Sequence, residues 1–297
     1  MRATAIFFLY LLACLLLAAA LTPPLIATGW IDVEPHRVMS RLAQVLMLMG
    51  IWPFLRLLRL DRREALGYGR PRPEFLRGLY RGWLAGVAIL LVLVLALLAL
   101  GARVPDLDAT SRHADLARKA AQALAAGLLI GVLEESFFRG AMFTAIRRRG
   151  TAASAIAWSA LLYATVHFLK PGALATGATL DWAAAGRMVL AAFTRGLEWA
   201  NLDSFVALVL VGVFLGLVRE RTGHIGWCIG LHAGWVWVIQ VARQLTDGNA
   251  ESPYAFLTGD YDGVIGWLAA GWLAVLSTAF QGLAGRSGSV TTGDRRA

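Results

Sequence analysis

Long apolar runs without a charge decide what this chain can fold into. Residues 87–100 contain no polar side chain at all, and comparable stretches recur along the whole sequence. The hydrocarbon core of a bilayer is about 30 Å thick and needs about 20 apolar residues in helical form. Because 58% of the 297 residues are hydrophobic and only 16% are charged, the composition argues against a water-soluble enzyme, a disordered protein or a disulfide scaffold.

Eight stretches have the length and composition of membrane spans. They are residues 3–21, 38–58, 82–101, 121–146, 152–170, 203–218, 224–243 and 262–282. The more mixed residues 172–202 are interpreted as an interfacial or re-entrant helix. The predicted fold class is therefore all-α, a polytopic transmembrane helix bundle of about eight spans. We expect residues 1–297 to form a single integral membrane domain, with 283–297 as a flexible cytoplasmic tail.

The basic residues are distributed as an orientation signal. The connection 56–81 carries eight arginines, and further arginines follow the fourth, sixth and eighth predicted spans. Basic residues mark the cytoplasmic side of a membrane protein. Placing 56–81 inside puts both termini and most of the 28 Lys and Arg residues in the cytoplasm. The net charge of +9 therefore indicates a multi-pass protein of the cell membrane, with the lipid bilayer as a partner, no nucleic acid and no inferable soluble partner.

The first span has a competing interpretation. Met1, Arg2, the apolar run and the alanines at 18–20 are also the pattern of a cleaved signal peptide. The run is longer than the apolar region of such a peptide, so we expect an uncleaved anchor. Cys14 and Cys228 both fall in predicted spans and make neither a disulfide framework nor a zinc ribbon.

Ionisable residues inside the predicted spans are costly and therefore mark functional candidates. Glu134, Glu135 and Arg139 lie in the fourth span, His167 in the fifth and His232 in the seventh. Glu135 and Arg139 are four residues apart, in the order that favours a helical ion pair. This pairing leaves Glu134, about 100° around the helix, without a partner. We expect Glu134 to point into the bundle, where it suits a general base or acid.

Small residues predict close helix contacts around these groups. Gly127 and Gly131 share the helical face of Glu134, which lets a neighbouring helix approach. A second stripe runs along the seventh span: Gly226, Gly230 and Gly234. The histidine of that span lies on the opposite side of the helix, so we expect the stripe and the histidine to meet different neighbours.

One glutamate and two histidines are the side chains that water-activating hydrolytic sites use. Glu134, His167 and His232 are compatible with a Zn²⁺ ion that keeps one position open for water. They are equally compatible with a metal-free site, in which the glutamate deprotonates water and a histidine donates to the oxyanion. A proton relay in a transporter is a third alternative; it predicts inverted repeats and broken helices, and the sequence indicates neither.

Three motifs resemble the signature of a known family. The type II CAAX prenyl endopeptidase and bacteriocin-processing (CPBP) family of intramembrane proteases has E-E-x-x-x-R, F-x-x-x-H and H-x-x-x-N in three helices. This chain has Glu134-Glu135-x-x-x-Arg139, Tyr163-x-x-x-His167 and His232-x-x-x-Val236. Tyrosine replaces the phenylalanine of the second motif, and valine replaces the asparagine of the third.

The resemblance implies a multi-helix intramembrane endopeptidase with residues 121–243 as its catalytic core. By the family's pattern, Glu134 would activate water together with His167, and His232 would stabilise the oxyanion. The substrate would be a membrane-associated or lipidated protein or peptide, cut near its C-terminus. If a metal is present, the same three side chains would bind it.

The resemblance also implies supporting residues and one open question. Glu135 and Arg139 would stabilise the helix as an ion pair. Tyr163 would keep an aromatic ring at the position where the family has phenylalanine. Val236 removes an oxyanion donor, so either Trp235 or Gln240 takes over or the activity is weak. The alternative function is a non-catalytic relative that acts in bacteriocin immunity or membrane-complex assembly.

Overall fold

The computed structural model of the protein describes residues 2–106, 113–175, 177–195 and 198–289. Long helices dominate this part of the chain. They are α1 (Arg2–Ala27), α2 (Pro35–Leu57), α3 (Arg72–Ala99), α4 (His113–Glu135), α5 (Phe143–Arg147), α6 (Ala152–Phe168), α7 (Trp182–Arg195), α8 (Leu202–Thr222), α9 (Gly226–Leu245) and α10 (Trp267–Ser289). Two short strands, β1 (Arg103–Pro105) and β2 (Thr246–Gly248), pair antiparallel.

The predicted all-α, multi-pass fold is confirmed in its main features. Each of the eight predicted spans coincides with a helix. Within the described residues, five helices are long and apolar enough to cross a membrane: α1, α2, α3, the continuous helix 115–147 and the helix 199–222. Helix α6 is apolar but shorter. The eight crossings and the cytoplasmic position of both termini stay predictions. The strand pair was not expected, because three residues are too few for a periodic pattern to predict a strand.

Two segments outside the predicted spans also take a defined form. Helix α7 occupies part of 172–202 and has 14 residues, too few to cross a bilayer. It is amphipathic, packs on α1, buries Met188 and exposes Trp182. Helix α10 extends into the predicted tail 283–297. The end of that tail, 290–297, lies outside the described residues.

Helix α9 lies between α3 and α4 because small residues admit both neighbours. A Cβ atom on Gly230 would overlap the Leu79 carbonyl oxygen of α3 and lie 2.7 Å from the Trp83 amide nitrogen. On the side of α4, a Cβ atom on Gly127 would lie 2.9 Å from the Ala233 carbonyl oxygen. The glycine stripe of α9 thus meets α3, while its histidine faces a different set of neighbours, as the sequence predicts.

Replacing Gly230 with alanine is expected to lower the free energy of unfolding by about 1–3 kcal/mol, because the new methyl group would overlap the α3 backbone. Gly271 of α10 is the matched control, since a Cβ atom added to it would have no heavy atom of another residue within 4 Å. Thermal unfolding of the purified full-length protein should show a lower Tm for Gly230→Ala and an unchanged or higher Tm for Gly271→Ala. Equal Tm values would contradict the close α3–α9 contact.

The fourth predicted span is not a regular α-helix. Helix α4 continues through a π-helical turn, Ser136–Met142, into α5. Turns of this kind are rare and occur often at functional sites. The Arg139 carbonyl oxygen, inside the turn, accepts a hydrogen bond from Arg219 Nε at 3.0 Å. The buried Arg219 of α8 thereby fixes the backbone next to the predicted site residues.

Candidate active site

Three helices bring Glu134, His167 and His232 together. The Glu134 Oε2 atom lies 3.8 Å from His167 Nε2 and 3.9 Å from His232 Nε2. These gaps are too long for direct hydrogen bonds and suit a bridging water molecule. The Oε2 atom is buried and has no hydrogen-bond partner among the described residues. The three predicted catalytic side chains therefore converge on one point from α4, α6 and α9.

A buried ion-pair network lies next to the three convergent side chains. Glu135 Oε1 accepts hydrogen bonds from Arg139 Nη1 at 3.3 Å and from His232 Nδ1 at 2.9 Å. The side chains of Glu135 and Arg139 are completely buried. Because buried charges are tolerated only when they are paired, each of these two groups needs the other. The bond to His232 goes beyond the helical pair expected from the spacing, and it fixes the orientation of that imidazole ring.

His167 is oriented by its own helix. Its Nδ1 atom lies 2.8 Å from the Tyr163 carbonyl oxygen and donates to it, so Nε2 faces Glu134. The Tyr163 ring is buried, with its centre 4.4 Å from the His167 ring centre and 4.4 Å from Arg139 Cζ. Tyrosine thus makes aromatic and cation–π contacts at the position where the family has phenylalanine.

The hydrogen bonds restrict the protonation states of the cluster. Both Nδ1 atoms act as donors, so a neutral imidazole presents a lone pair, not a proton, at Nε2. With both glutamates ionised and Arg139 charged, neutral histidines leave one net negative charge in a buried cluster. One additional proton makes the cluster neutral, which low-dielectric surroundings favour. A proton at His232 Nε2 gives an imidazolium that can donate a hydrogen bond toward Glu134 or toward a substrate.

The three convergent side chains do not have the spacing of a zinc centre. Zinc bonds of about 2.0–2.1 Å in tetrahedral geometry place two ligand atoms about 3.3 Å apart, whereas the gaps around Glu134 Oε2 are 3.8 and 3.9 Å. Within the residues that the structure describes, no group of three His, Cys, Asp or Glu side chains is arranged to hold a metal ion. The gaps around Glu134 Oε2 admit a bound water molecule.

The surroundings of the two candidate oxyanion donors, Trp235 and Gln240, differ. Val236 faces α4, with its Cβ 3.4 Å from the position of a Cβ on Gly127. The buried Trp235 ring packs on Phe214 of α8, with the ring centres 6.1 Å apart. Gln240 is exposed, about two helical turns beyond the histidine of α9. The buried Trp235 Nε1 atom has no hydrogen-bond partner among the described residues, so a donor role for Trp235 stays a prediction. The exposed position of Gln240 does not favour such a role.

Two tyrosines beside the site were missed by the sequence patterns. The Tyr261 ring centre lies 6.3 Å from the His167 ring centre. The Tyr68 and Ser136 hydroxyl oxygens are 2.7 Å apart, and Ser136 directly follows the paired glutamates. Both tyrosines lie in connecting segments, where helical periodicity carries no signal. Tertiary contact alone identifies them.

Comparison with known proteins gives the same assignment as the motifs. Residues 117–238 match a family model described as Type II CAAX prenyl endopeptidase Rce1-like. Neither the curated proteins nor the solved structures gave a match. The matched segment contains the whole cluster: Glu134, Glu135, Arg139, Tyr163, His167 and His232. Residues 117–238 of this chain, and with them the candidate active site, are therefore similar to the Rce1-like type II CAAX prenyl endopeptidases.

Proposed function

We propose that the protein is an intramembrane endopeptidase that hydrolyses a peptide bond of a membrane-associated or lipidated protein or peptide. The observation that carries this proposal is the convergence of Glu134 Oε2 with the Nε2 atoms of His167 and His232. The Rce1-like family is a protease family. Five apolar helices of spanning length support a substrate that is also held at the membrane.

Glu134 acts as the general base in this proposal. A water molecule between the three side chains gives one proton to Glu134 Oε2, and its oxygen attacks the scissile carbonyl carbon. His167 Nε2 accepts the other hydrogen of the water and orients it. Because Oε2 has no hydrogen-bond partner among the described residues, the carboxylate can take this proton without breaking an existing hydrogen bond.

His232 stabilises the charge that forms on the carbonyl oxygen. The Glu135 carboxylate, 2.9 Å from His232 Nδ1, favours the imidazolium form, whose Nε2–H donates to the oxyanion. When the carbon–nitrogen bond breaks, Glu134 returns its proton to the leaving nitrogen. The site is then ready for another water molecule, and no covalent intermediate with the protein is needed.

The test uses the full-length protein in proteoliposomes and a fluorescent peptide that carries a farnesylated cysteine followed by three residues. The wild-type protein should release the residues after that cysteine, as identified by mass spectrometry. A matched peptide without the prenyl group should react more slowly if the lipid guides binding. Equal rates would show that the substrate needs no prenyl group. Absence of cleavage of both peptides would contradict the proposed function.

The alternative function is a non-catalytic relative in bacteriocin immunity or membrane-complex assembly. Its support is Val236, which packs toward Gly127 of α4 and offers no hydrogen-bond donor. The two functions differ in their dependence on Glu134. A Glu134→Gln variant that fully restores the phenotype of a deletion strain would favour the non-catalytic function, and one that fails to restore it would favour the peptidase.

A further inference from the structure

The segment between α9 and α10 brings an aromatic side chain to the edge of the site. Tyr261 is partly buried there, with its ring centre 6.3 Å from that of His167 and 5.3 Å from that of Phe168. The Lys170 Nζ atom lies 4.3 Å from the centre of the same ring. The Tyr261 side chain is therefore held against the end of α6, next to one of the two site histidines.

A buried arginine fixes the backbone that carries Tyr261. Arg103 of β1 is 4% exposed and donates from Nη1 to the Gly263 carbonyl oxygen at 2.6 Å. Its Nε donates to Thr246 Oγ1 at 2.7 Å. Asp262 Oδ1 accepts hydrogen bonds from two following backbone amides, at 2.9 and 2.7 Å. Tyr261 thus projects from a hydrogen-bonded turn, which is what a positioned donor requires.

The Tyr261 hydroxyl is available to donate a hydrogen bond. Among the described residues, the Tyr261 side chain makes ring contacts with His167, Phe168 and Lys170 and no hydrogen bond. Burial, followed by the charges of Asp262 and Glu134, raises the pKa of Tyr261 to about 12. The phenol therefore keeps its proton at physiological pH.

We infer that Tyr261 is a further catalytic residue of this site, whose hydroxyl donates a hydrogen bond to the oxyanion in place of the donor that Val236 lacks. This inference rests on the proposed peptidase function. Three observations carry it: the ring lies against His167, the backbone is anchored by Arg103, and the hydroxyl has no described partner. A tyrosine hydroxyl is an established type of oxyanion donor in enzymes.

The tyrosine stabilises charge but transfers no proton. As the water oxygen bonds to the carbonyl carbon, the carbonyl electron pair moves to its oxygen and the water proton moves to Glu134. The Tyr261 O–H and the His232 Nε2–H then donate to the oxyanion. When the carbonyl re-forms, the carbon–nitrogen bond breaks and the leaving nitrogen takes the proton from Glu134.

Tyr261→Phe tests this inference because it removes the hydroxyl and keeps the ring contacts. Tyr254→Phe is the matched control, since Tyr254 lies in the same segment and is 44% exposed. With the farnesylated peptide in proteoliposomes, Tyr261→Phe should lower kcat by about 10²-fold. The KM and the Tm should stay within error of the wild type, and Tyr254→Phe should leave kcat unchanged.

The outcomes separate this inference from the function on which it rests. A wild-type kcat for Tyr261→Phe, measured beside an inactive Glu134→Gln variant, would overturn the role of Tyr261 and leave the peptidase function standing. A change confined to KM would assign Tyr261 to substrate binding and would also overturn the donor role. Full activity of Glu134→Gln would instead overturn the proposed function.

Discussion

Glu134→Gln is expected to lower the rate of peptide cleavage by about 10²–10⁴-fold. Loss of a general base typically costs about 10²–10⁴ in rate, and an amide cannot take the proton of the attacking water. The variant should insert and fold normally, because glutamine has nearly the same shape and Glu134 Oε2 makes no hydrogen bond within the described residues. Cleavage of the farnesylated peptide in proteoliposomes measures the rate, and thermal unfolding verifies the fold.

Glu220→Gln is the matched control for this change. Glu220 lies at the surface end of α8 and forms an exposed ion pair with Arg147, with Oε1 and Nη2 3.1 Å apart. Exposed pairs contribute about 0–1 kcal/mol, so this substitution should change neither cleavage nor Tm. Similar rate losses in both variants would show that the effect of Glu134→Gln is nonspecific.

Arg139→Met is expected to lower the free energy of unfolding by about 3–5 kcal/mol. The substitution leaves the completely buried Glu135 carboxylate without its arginine partner, and an unpaired buried charge is strongly destabilising. Arg147→Met, at the exposed pair of α5, is the matched control and should cost less than about 1 kcal/mol. Chemical unfolding of the purified proteins compares the two.

A double variant separates stability from activity. Glu135→Leu combined with Arg139→Met removes both buried charges, so it should recover much of the stability that Arg139→Met loses. It also removes the Glu135 oxygen that accepts a hydrogen bond from His232 Nδ1 at 2.9 Å. Cleavage should therefore stay low in the double variant. Recovery of full activity would show that Glu135 has no part in orienting His232.

Much of the helical framework can be predicted from the sequence, because each membrane helix is encoded by a continuous run of about 20 apolar residues. The apolar runs predict the segments that become α1 to α3, and the glycine stripe of α9 predicts its contact with a neighbouring helix. The π-helical turn at Ser136–Met142 could not be predicted in this way. It depends on contacts from distant elements, such as the hydrogen bond from Arg219 Nε to the Arg139 carbonyl oxygen.

The sequence predicts those site residues whose charged side chains are costly to bury in a membrane. Charged side chains inside apolar spans cost free energy and usually mark a functional site. The sequence alone therefore indicates Glu134, Glu135 and Arg139. Spacing along one helix also predicts the Glu135–Arg139 pair, which the structure contains at 3.3 Å. The contact of Glu135 with His232 joins two helices that are far apart in sequence, and no local pattern encodes it.

Residues from connecting segments were not predictable. Tyr261 is one of six tyrosines, and nothing in its neighbourhood distinguishes it before the chain folds. Its position depends on Arg103, which belongs to a strand of three residues paired with Thr246–Gly248. Tyr261 therefore differs from the other tyrosines in the tertiary hydrogen bonds that hold its backbone, and the local sequence does not encode these bonds.

Peptide cleavage by metal-depleted protein, measured in parallel for the wild type and Glu134→Gln, tests whether Glu134 activates water without a metal ion. The full-length protein is dialysed against a chelator, its zinc content is determined by mass spectrometry, and the farnesylated peptide is added in proteoliposomes. We expect that the zinc-free wild type keeps its cleavage rate and that Glu134→Gln has almost none. A wild-type activity that disappears on dialysis and returns with zinc, or a fully active Glu134→Gln variant, would contradict it.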